Sequence, residues 1–254
     1  MGIIGGELGY KLLRQAARVS PGNELTTAYD NRSKMEVFFG PDIWKELADK
    51  TVVDFGCENG VEAIDMAEHG VRRVIGVDIR EGPLAVARRA AQAKGLSDRC
   101  TFATTIDEKV DVVVSLDAFE HFADPLAMLG VMRKLLKDDG YILTCFGPTW
   151  YHPLGGHGFS IFPWAHLVFT ENTFMRSYRD GSGDDARRFG EVSGGLNQLT
   201  IRRFEKIVAQ SDFEFVSFKA VPIRRLSLIS NYLTREFTTA VVRCKLAPRR
   251  RQQS

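Results

Sequence analysis

The run Val52-Val53-Asp54-Phe55-Gly56-Cys57-Glu58-Asn59-Gly60 reads as a buried strand that ends in an acid and passes through a glycine-containing turn into a helix. Small residues at such a turn let backbone approach a ligand closely, and a helix start offers N–H groups with no partner inside the helix. Eighteen residues after Gly60 stands Asp78, in Val77-Asp78-Ile79, at the end of what reads as a second strand. A carboxylate there can accept both hydroxyl hydrogens of a ribose, so turn and spaced acid together point to a nucleoside-containing ligand. The competing reading makes Gly56 and Gly60 a tight turn and Asp78 a helix cap; the spacing favours the ligand.

Working outward, short β-branched runs alternate with helical stretches between residues 51 and 148, the pattern of βαβ units feeding a parallel sheet. Strands are predicted over 51–55, 73–79, 100–104, 111–116 and 141–146, and their Val/Ile content suits burial on both faces. Helices fall at 60–69, 82–94 and 125–137, the last with Asp124 as N-cap and Gly140 just beyond it. A helix at 199–210 and strands at 213–221 and 237–246 follow, and with no long crossover between those strands they are expected as an antiparallel pair at the sheet edge. Two helices, 8–19 and 35–47, precede the first strand. The fold class is α/β, a doubly wound, mostly parallel seven-stranded sheet with an antiparallel last strand.

Residues 149–198 break this rhythm. They hold nine aromatics and three of the five histidines, a density of aromatic residues well above the 10% of the whole chain. The segment therefore reads as an insertion, its aromatics either burying one another or facing a ligand. Its Trp150-Tyr151-His152 and Gly155-Gly156-His157 stretches offer aromatic faces and imidazoles to a flat or apolar acceptor, with the glycine pair as a hinge. His152, His157 and His166 also raise a metal reading, but they match no ligand pattern and no carboxylate is adjacent, so no metal is expected.

Length and charge narrow the function classes. At 254 residues the chain suits one large domain or a domain with a lid, and 44% hydrophobic residues supply a core. A net charge of +2 argues against coating nucleic acid by bulk electrostatics. The basic excess lies at the end: residues 1–242 carry 29 basic against 32 acidic groups, and 248–254 form a basic tail expected to be solvated. Four dispersed cysteines, no signal-peptide pattern and no run of eighteen apolar residues make a cytoplasmic protein without a transmembrane segment the expectation.

A dinucleotide fingerprint requires G-x-G-x-x-G, which the turn does not match. The turn resembles instead the acid-x-Gly-x-Gly-x-Gly motif of class I S-adenosylmethionine-dependent methyltransferases, with Asp54, Gly56 and Gly60 in register. The resemblance runs on through Gly76-Val77-Asp78-Ile79, through residues 111–122 and through Leu135-Leu136-Lys137 to Gly140. It implies a Rossmann-like fold divided into an N-terminal helical segment (1–50), a cofactor core (51–148), a substrate cap (149–198), a completing helix and strand pair (199–247) and the tail. It implies S-adenosylmethionine as cofactor, its methionine part held by Asp54, Gly56, Cys57 and Gly60, its ribose by Asp78, its adenine against Ile79, with Thr105 and Leu116 completing the site. Two departures stand out: Glu58 occupies the second glycine position, where its charge needs solvent or a cation, and Thr105 stands where an adenine-binding acid is usual.

Ala118-Phe119-Glu120-His121-Phe122 follows the fourth strand, whose carboxyl end faces the ligand crevice in this architecture. The stretch resembles ubiquinone-type O-methyltransferases and lipid cyclopropane synthases, and makes His121 and Glu120 the candidate catalytic pair, with His121 taking a proton from an acceptor hydroxyl; the competing reading has the two stabilise a turn or cap a helix without touching substrate. The implied function is methyl transfer to a small molecule at a hydroxyl oxygen. The alternative is a non-catalytic nucleotide-binding or scaffold protein of the same fold. Methylation of a nucleic acid or protein is disfavoured because Leu116-Asp117-Ala118-Phe119 replaces the Asn/Asp-Pro-Pro-Tyr/Phe type of motif. Oligomeric state is open: Leu8, Leu12 and Val19 form an apolar face that suits either the cleft or a second subunit.

Overall fold

Three helices, α1 (Gly6–Ala17), α2 (Lys34–Phe39) and α3 (Ile43–Leu47), precede the first strand in the computed structural model, which describes residues 2–17, 32–157, 159–160, 162–192 and 194–250. Val19 and Arg251 lie outside the described residues. The single helix predicted over 35–47 is broken where Gly40 turns to a φ of 86° and Pro41, which has no N–H for the helix ladder, follows.

The core alternates strand and helix: β1 (Thr51–Phe55), α4 (Val61–Glu68), β2 (Arg73–Val77), α5 (Glu81–Ala93), β3 (Cys100–Ala103), β4 (Val110–Leu116), α6 (Pro125–Leu135) and β5 (Leu136–Phe146). Asp124 caps α6 as its sequence position predicts, its Oδ1 accepting from Ala127 N at 3.0 Å. Then come α7 (Ala165–Val168), α8 (Glu171–Ser182), α9 (Ile201–Gln210), β6 (Phe213–Pro222), α10 (Arg235–Thr238) and β7 (Thr239–Pro248).

The seven strands run in the order β3-β2-β1-β4-β5-β7-β6. β1 pairs in parallel with both β2 and β4, and β7 alone runs against its neighbours, with Ile142 opposite Leu246 and Phe146 opposite Val242. The strand order reverses between β1 and β4, the place where sheets of this kind take a ligand beyond their carboxyl ends, and the Asp54–Gly60 turn and the Glu120-His121 pair both follow those ends. Alternation along β1 splits the core: Val52 packs on one face with Met35, Met66 and Leu84, Val53 on the other with Phe119, Leu129 and Phe204.

Residues 149–198 carry a cluster of their own rather than a loop. Phe169, Phe174, Met175 and Phe189 are buried with Leu13 of α1, and Phe189 meets the rings of Trp150 at 5.0 Å and Phe174 at 5.4 Å. Helix α1 lies along α8, where Tyr10 Oη donates to Asp180 Oδ2 at 2.6 Å. Leu13 makes the apolar contact, while Leu8 and Leu12 of the face predicted from sequence are exposed. The tail starts folded: Arg249 Nε donates to Phe213 O and Nη2 to Ala209 O, each at 2.8 Å, so this arginine caps the carboxyl end of α9 instead of standing free in solvent. Among the described residues no helix is long and apolar enough to cross a membrane.

Candidate active site

The glycines of the turn are required by space as well as by angle. Gly60 has a φ of 74°, and a Cβ there would meet the Phe102 ring at 2.5 Å and Ala87 at 2.7 Å, so only glycine lets α4 start this close to the sheet. Gly56, with a φ of 86°, faces Ala118 at 3.3 Å. Between them Glu58 holds a φ of 45°, the left-handed conformation that the missing glycine would adopt freely. Its exposed side chain reaches a cation: Oε1 accepts from Arg80 Nη2 at 2.9 Å.

That arginine also serves Asp78. Asp78 Oδ1 accepts from Arg80 N at 2.8 Å and Arg80 Nε at 3.1 Å, and Oδ2 accepts from Glu58 N at 3.1 Å. Burial works to raise this carboxyl, but the Arg80 guanidinium and the backbone amides outweigh it and hold it below the ordinary carboxylate range. Asp54 has the opposite fate. It is 3% exposed with Oδ2 unpartnered, and burial, reinforced by the nearby Glu62 charge, pushes its pKa well above the ordinary value.

The remaining predicted cofactor residues divide by burial. Cys57 and Leu116 are buried in the core, so their side chains pack while their backbones border the crevice. Ile79 is 91% exposed after β2, and Thr105 is exposed after β3. Lys34, which carries no local sequence signal, reaches over the end of β4: its Nζ lies 3.0 Å from both Asp117 Oδ2 and Glu62 Oε1. Burial pulls its pKa down, but the two carboxylates outweigh it and hold the ammonium above its usual range.

Glu120 and His121 sit on a loop clamped from the C-terminal side. Asn197 Nδ2 donates to Phe119 O and Phe122 O, both at 2.7 Å, and Asn197 N donates to Glu120 O at 2.9 Å. His121 Nδ1 lies 2.7 Å from Gly195 O. A carbonyl only accepts, so Nδ1 carries a hydrogen, and in the neutral ring the lone pair then lies on Nε2. Glu120 is 2% exposed; its Oε1 accepts from Gly147 N at 3.1 Å, Oε2 has no partner, and burial pushes its pKa up to about 8.

The three insert histidines part company. His152 Nδ1 accepts from Leu154 N at 2.9 Å and His166 Nε2 meets Trp150 O at 2.6 Å, so both are tied into the insert. His157, at a φ of 51°, places Nε2 3.9 Å from Glu120 Oε1 and its ring 5.2 Å from that of His121. Among the described residues neither of its ring nitrogens has a hydrogen-bond partner, and burial lowers its pKa to about 4. The sequence offered no carboxylate beside these histidines; the fold supplies one from the loop after β4.

A family model described as a methyltransferase domain matches residues 27–217, three quarters of the chain. The chain belongs to the methyltransferase-domain family. Within it, the chain is 36% identical over 106 residues to the ubiquinone biosynthesis O-methyltransferase of Actinobacillus pleuropneumoniae serotype 5b, covering 38% of this chain and 45% of that one. It is 33% identical over 98 residues to the ribosomal protein L11 methyltransferase of Pasteurella multocida, covering 38% and 33%. The match thus spans less than half the length of these curated relatives. In fold it is similar to an S-adenosylmethionine-dependent methyltransferase from Mesorhizobium loti, at a TM-score of 0.52 and 17% identity over 79% of this chain and 92% of that one.

Membership in this class I S-adenosylmethionine-dependent methyltransferase family brings S-adenosylmethionine as the cofactor. The turn of this chain fits it. Asp54 Oδ2 is a buried acceptor awaiting a donor, Gly56 and Gly60 keep the turn free of side chains, and the stray charge of Glu58 is drawn off by Arg80.

Proposed function

We propose that the protein transfers the methyl group of S-adenosylmethionine to a hydroxyl oxygen of a small, flat or apolar acceptor. The observation that carries this reading is the fixed tautomer of His121, whose Nδ1–H bond to Gly195 O leaves Nε2 as a base at the carboxyl end of β4. The O-methyltransferase named among its relatives supports oxygen as the accepting atom.

In this reading the Asp54–Gly60 turn holds the methionine part of the cofactor, with Asp54 Oδ2 accepting from its ammonium. Asp78 takes the ribose hydroxyls and Ile79 and Thr105 border the adenine. The acceptor lies under residues 149–198, which act as its cap; Tyr151, whose ring is 5.0 Å from that of Phe237, forms part of the apolar wall. His121 removes the hydroxyl proton as the oxygen attacks the methyl carbon. The C–O bond forms while the C–S bond breaks, the sulfonium becomes a neutral thioether, and the proton leaves from His121 to water. Because the donor is already activated, alignment of donor and acceptor supplies most of the acceleration.

The test is incubation of the protein with methyl-labelled cofactor and a panel of phenols and apolar alcohols, followed by product identification. Label on oxygen is the expected result, and label on nitrogen, carbon or macromolecule would redirect the reading. A second reading, a binding protein that retains the fold without transfer, is favoured by one observation: Arg80 already occupies Asp78. It predicts saturable cofactor binding with no label transferred to any acceptor in the same incubation.

A further inference from the structure

We propose that Glu120, His121 and His157 form a binding site for a divalent transition-metal ion at the acceptor end of the crevice. One ligand atom from each of the three lies within 4.8 Å of the other two. Metal–ligand bonds of about 2.1 Å require donors somewhat closer than this, a closure of roughly an ångström that side-chain rotation supplies.

Three independent features point to a cation. Glu120 is 2% exposed, yet among the described residues its Oε2 has no partner, and a buried polar atom left unsatisfied carries a cost that a bound ion would relieve. His157 is turned into the same space with both ring nitrogens unpartnered, and it is held there at a φ of 51°, a conformation that side chains other than glycine rarely adopt. Around them stands the second layer that metal sites use: His121 Nδ1 donates to Gly195 O at 2.7 Å, which fixes its tautomer, and Glu120 Oε1 accepts from Gly147 N at 3.1 Å.

The donor set selects the ion. Two imidazoles and one carboxylate suit Zn²⁺, Fe²⁺, Co²⁺ or Ni²⁺, whereas Mg²⁺ and Ca²⁺ prefer all-oxygen shells. Three protein ligands leave a position open, and the inference rests on the reading of this crevice as the acceptor site for what fills it: the acceptor hydroxyl. The ion then takes the lone pair of His121, and the bound hydroxyl loses its proton to water before attack, so acidification by the ion replaces removal by the imidazole.

The test uses the full chain, stripped with a chelator and titrated with CoCl2 while visible absorption and calorimetry are recorded. One Co²⁺ per chain with the visible bands of a nitrogen- and oxygen-ligated ion is expected, displaced by Zn²⁺. His157→Ala and Glu120→Gln should each weaken binding at least about a hundredfold. Absence of Co²⁺ binding, or binding unchanged in His157→Ala, overturns the site. His157 belongs to the cap, so this variant keeps the test valid if Glu120→Gln fails to fold. S-adenosylmethionine binding measured on the same samples separates the two claims: metal without cofactor binding removes the methyltransferase reading alone, and cofactor without metal binding removes this site alone.

Discussion

Glu58 Oε1 stands 2.9 Å from Arg80 Nη2, and the arginine thereby neutralises a carboxylate that sits where the family motif has glycine. If this is its function, Arg80→Ala uncovers a negative charge beside the cofactor's own carboxylate. Affinity for S-adenosylmethionine should fall about fivefold, the scale of a partly exposed ion pair. In a Glu58→Gly background the same substitution should change affinity little. Calorimetric titration of the four proteins reads the cycle; a gain in affinity for Arg80→Ala would show that the arginine competes for Asp78 instead.

Gly60→Ala should destabilise the protein by about 2 kcal/mol or more, since the new Cβ both strains a φ of 74° and enters the Phe102 ring at 2.5 Å. Thermal unfolding checks this, and an unchanged melting temperature would mean that α4 starts further from the sheet. By contrast Gly70→Ala, at a φ of 88° but in open space, tests strain without the clash and should cost less.

Asp54 gives the cofactor-free protein a pH dependence of stability. Its folded pKa is raised by burial, so from about pH 4 upward the unfolded chain releases a proton that the folded chain retains. Stability from this group is therefore full at low pH and lost as pH rises toward the raised folded value. Asp54→Asn removes the loss, so the melting temperature of the variant minus that of the wild type should grow between about pH 4 and pH 7. A constant difference would place the titration elsewhere.

Once an accepted substrate is found, His121→Ala should lower turnover at least about a hundredfold while leaving the affinity for S-adenosylmethionine unchanged. Equal turnover would remove His121 from the chemistry, and a parallel loss of cofactor affinity would make its role one of loop structure.

Much of this architecture is legible locally. β1 falls on the predicted residues, and the acid, the glycines and Asp78 meet at the carboxyl ends of β1 and β2, because their signals are concentrated in two short stretches of sequence. Helix α8 escaped because Phe174 and Met175 carry its deep apolar contacts within an otherwise polar run. The break at Gly40-Pro41 is a backbone event that hydrophobic spacing, which continues through it, does not register. In the site, Lys34 over Asp117, Arg80 on Glu58 and His157 beside Glu120 join different elements. Such contacts are set by tertiary packing, and no window of sequence contains both partners' surroundings.

The central claim is that the Asp54–Gly60 turn and Asp78 bind S-adenosylmethionine. Calorimetric titration of the wild-type chain and of Asp78→Ala tests it most directly. Saturable one-to-one binding that weakens more than about tenfold in the variant is the predicted result, matching the loss of charge-assisted bonds to the ribose. No heat of binding at millimolar cofactor, or equal affinity in the two proteins, would contradict it.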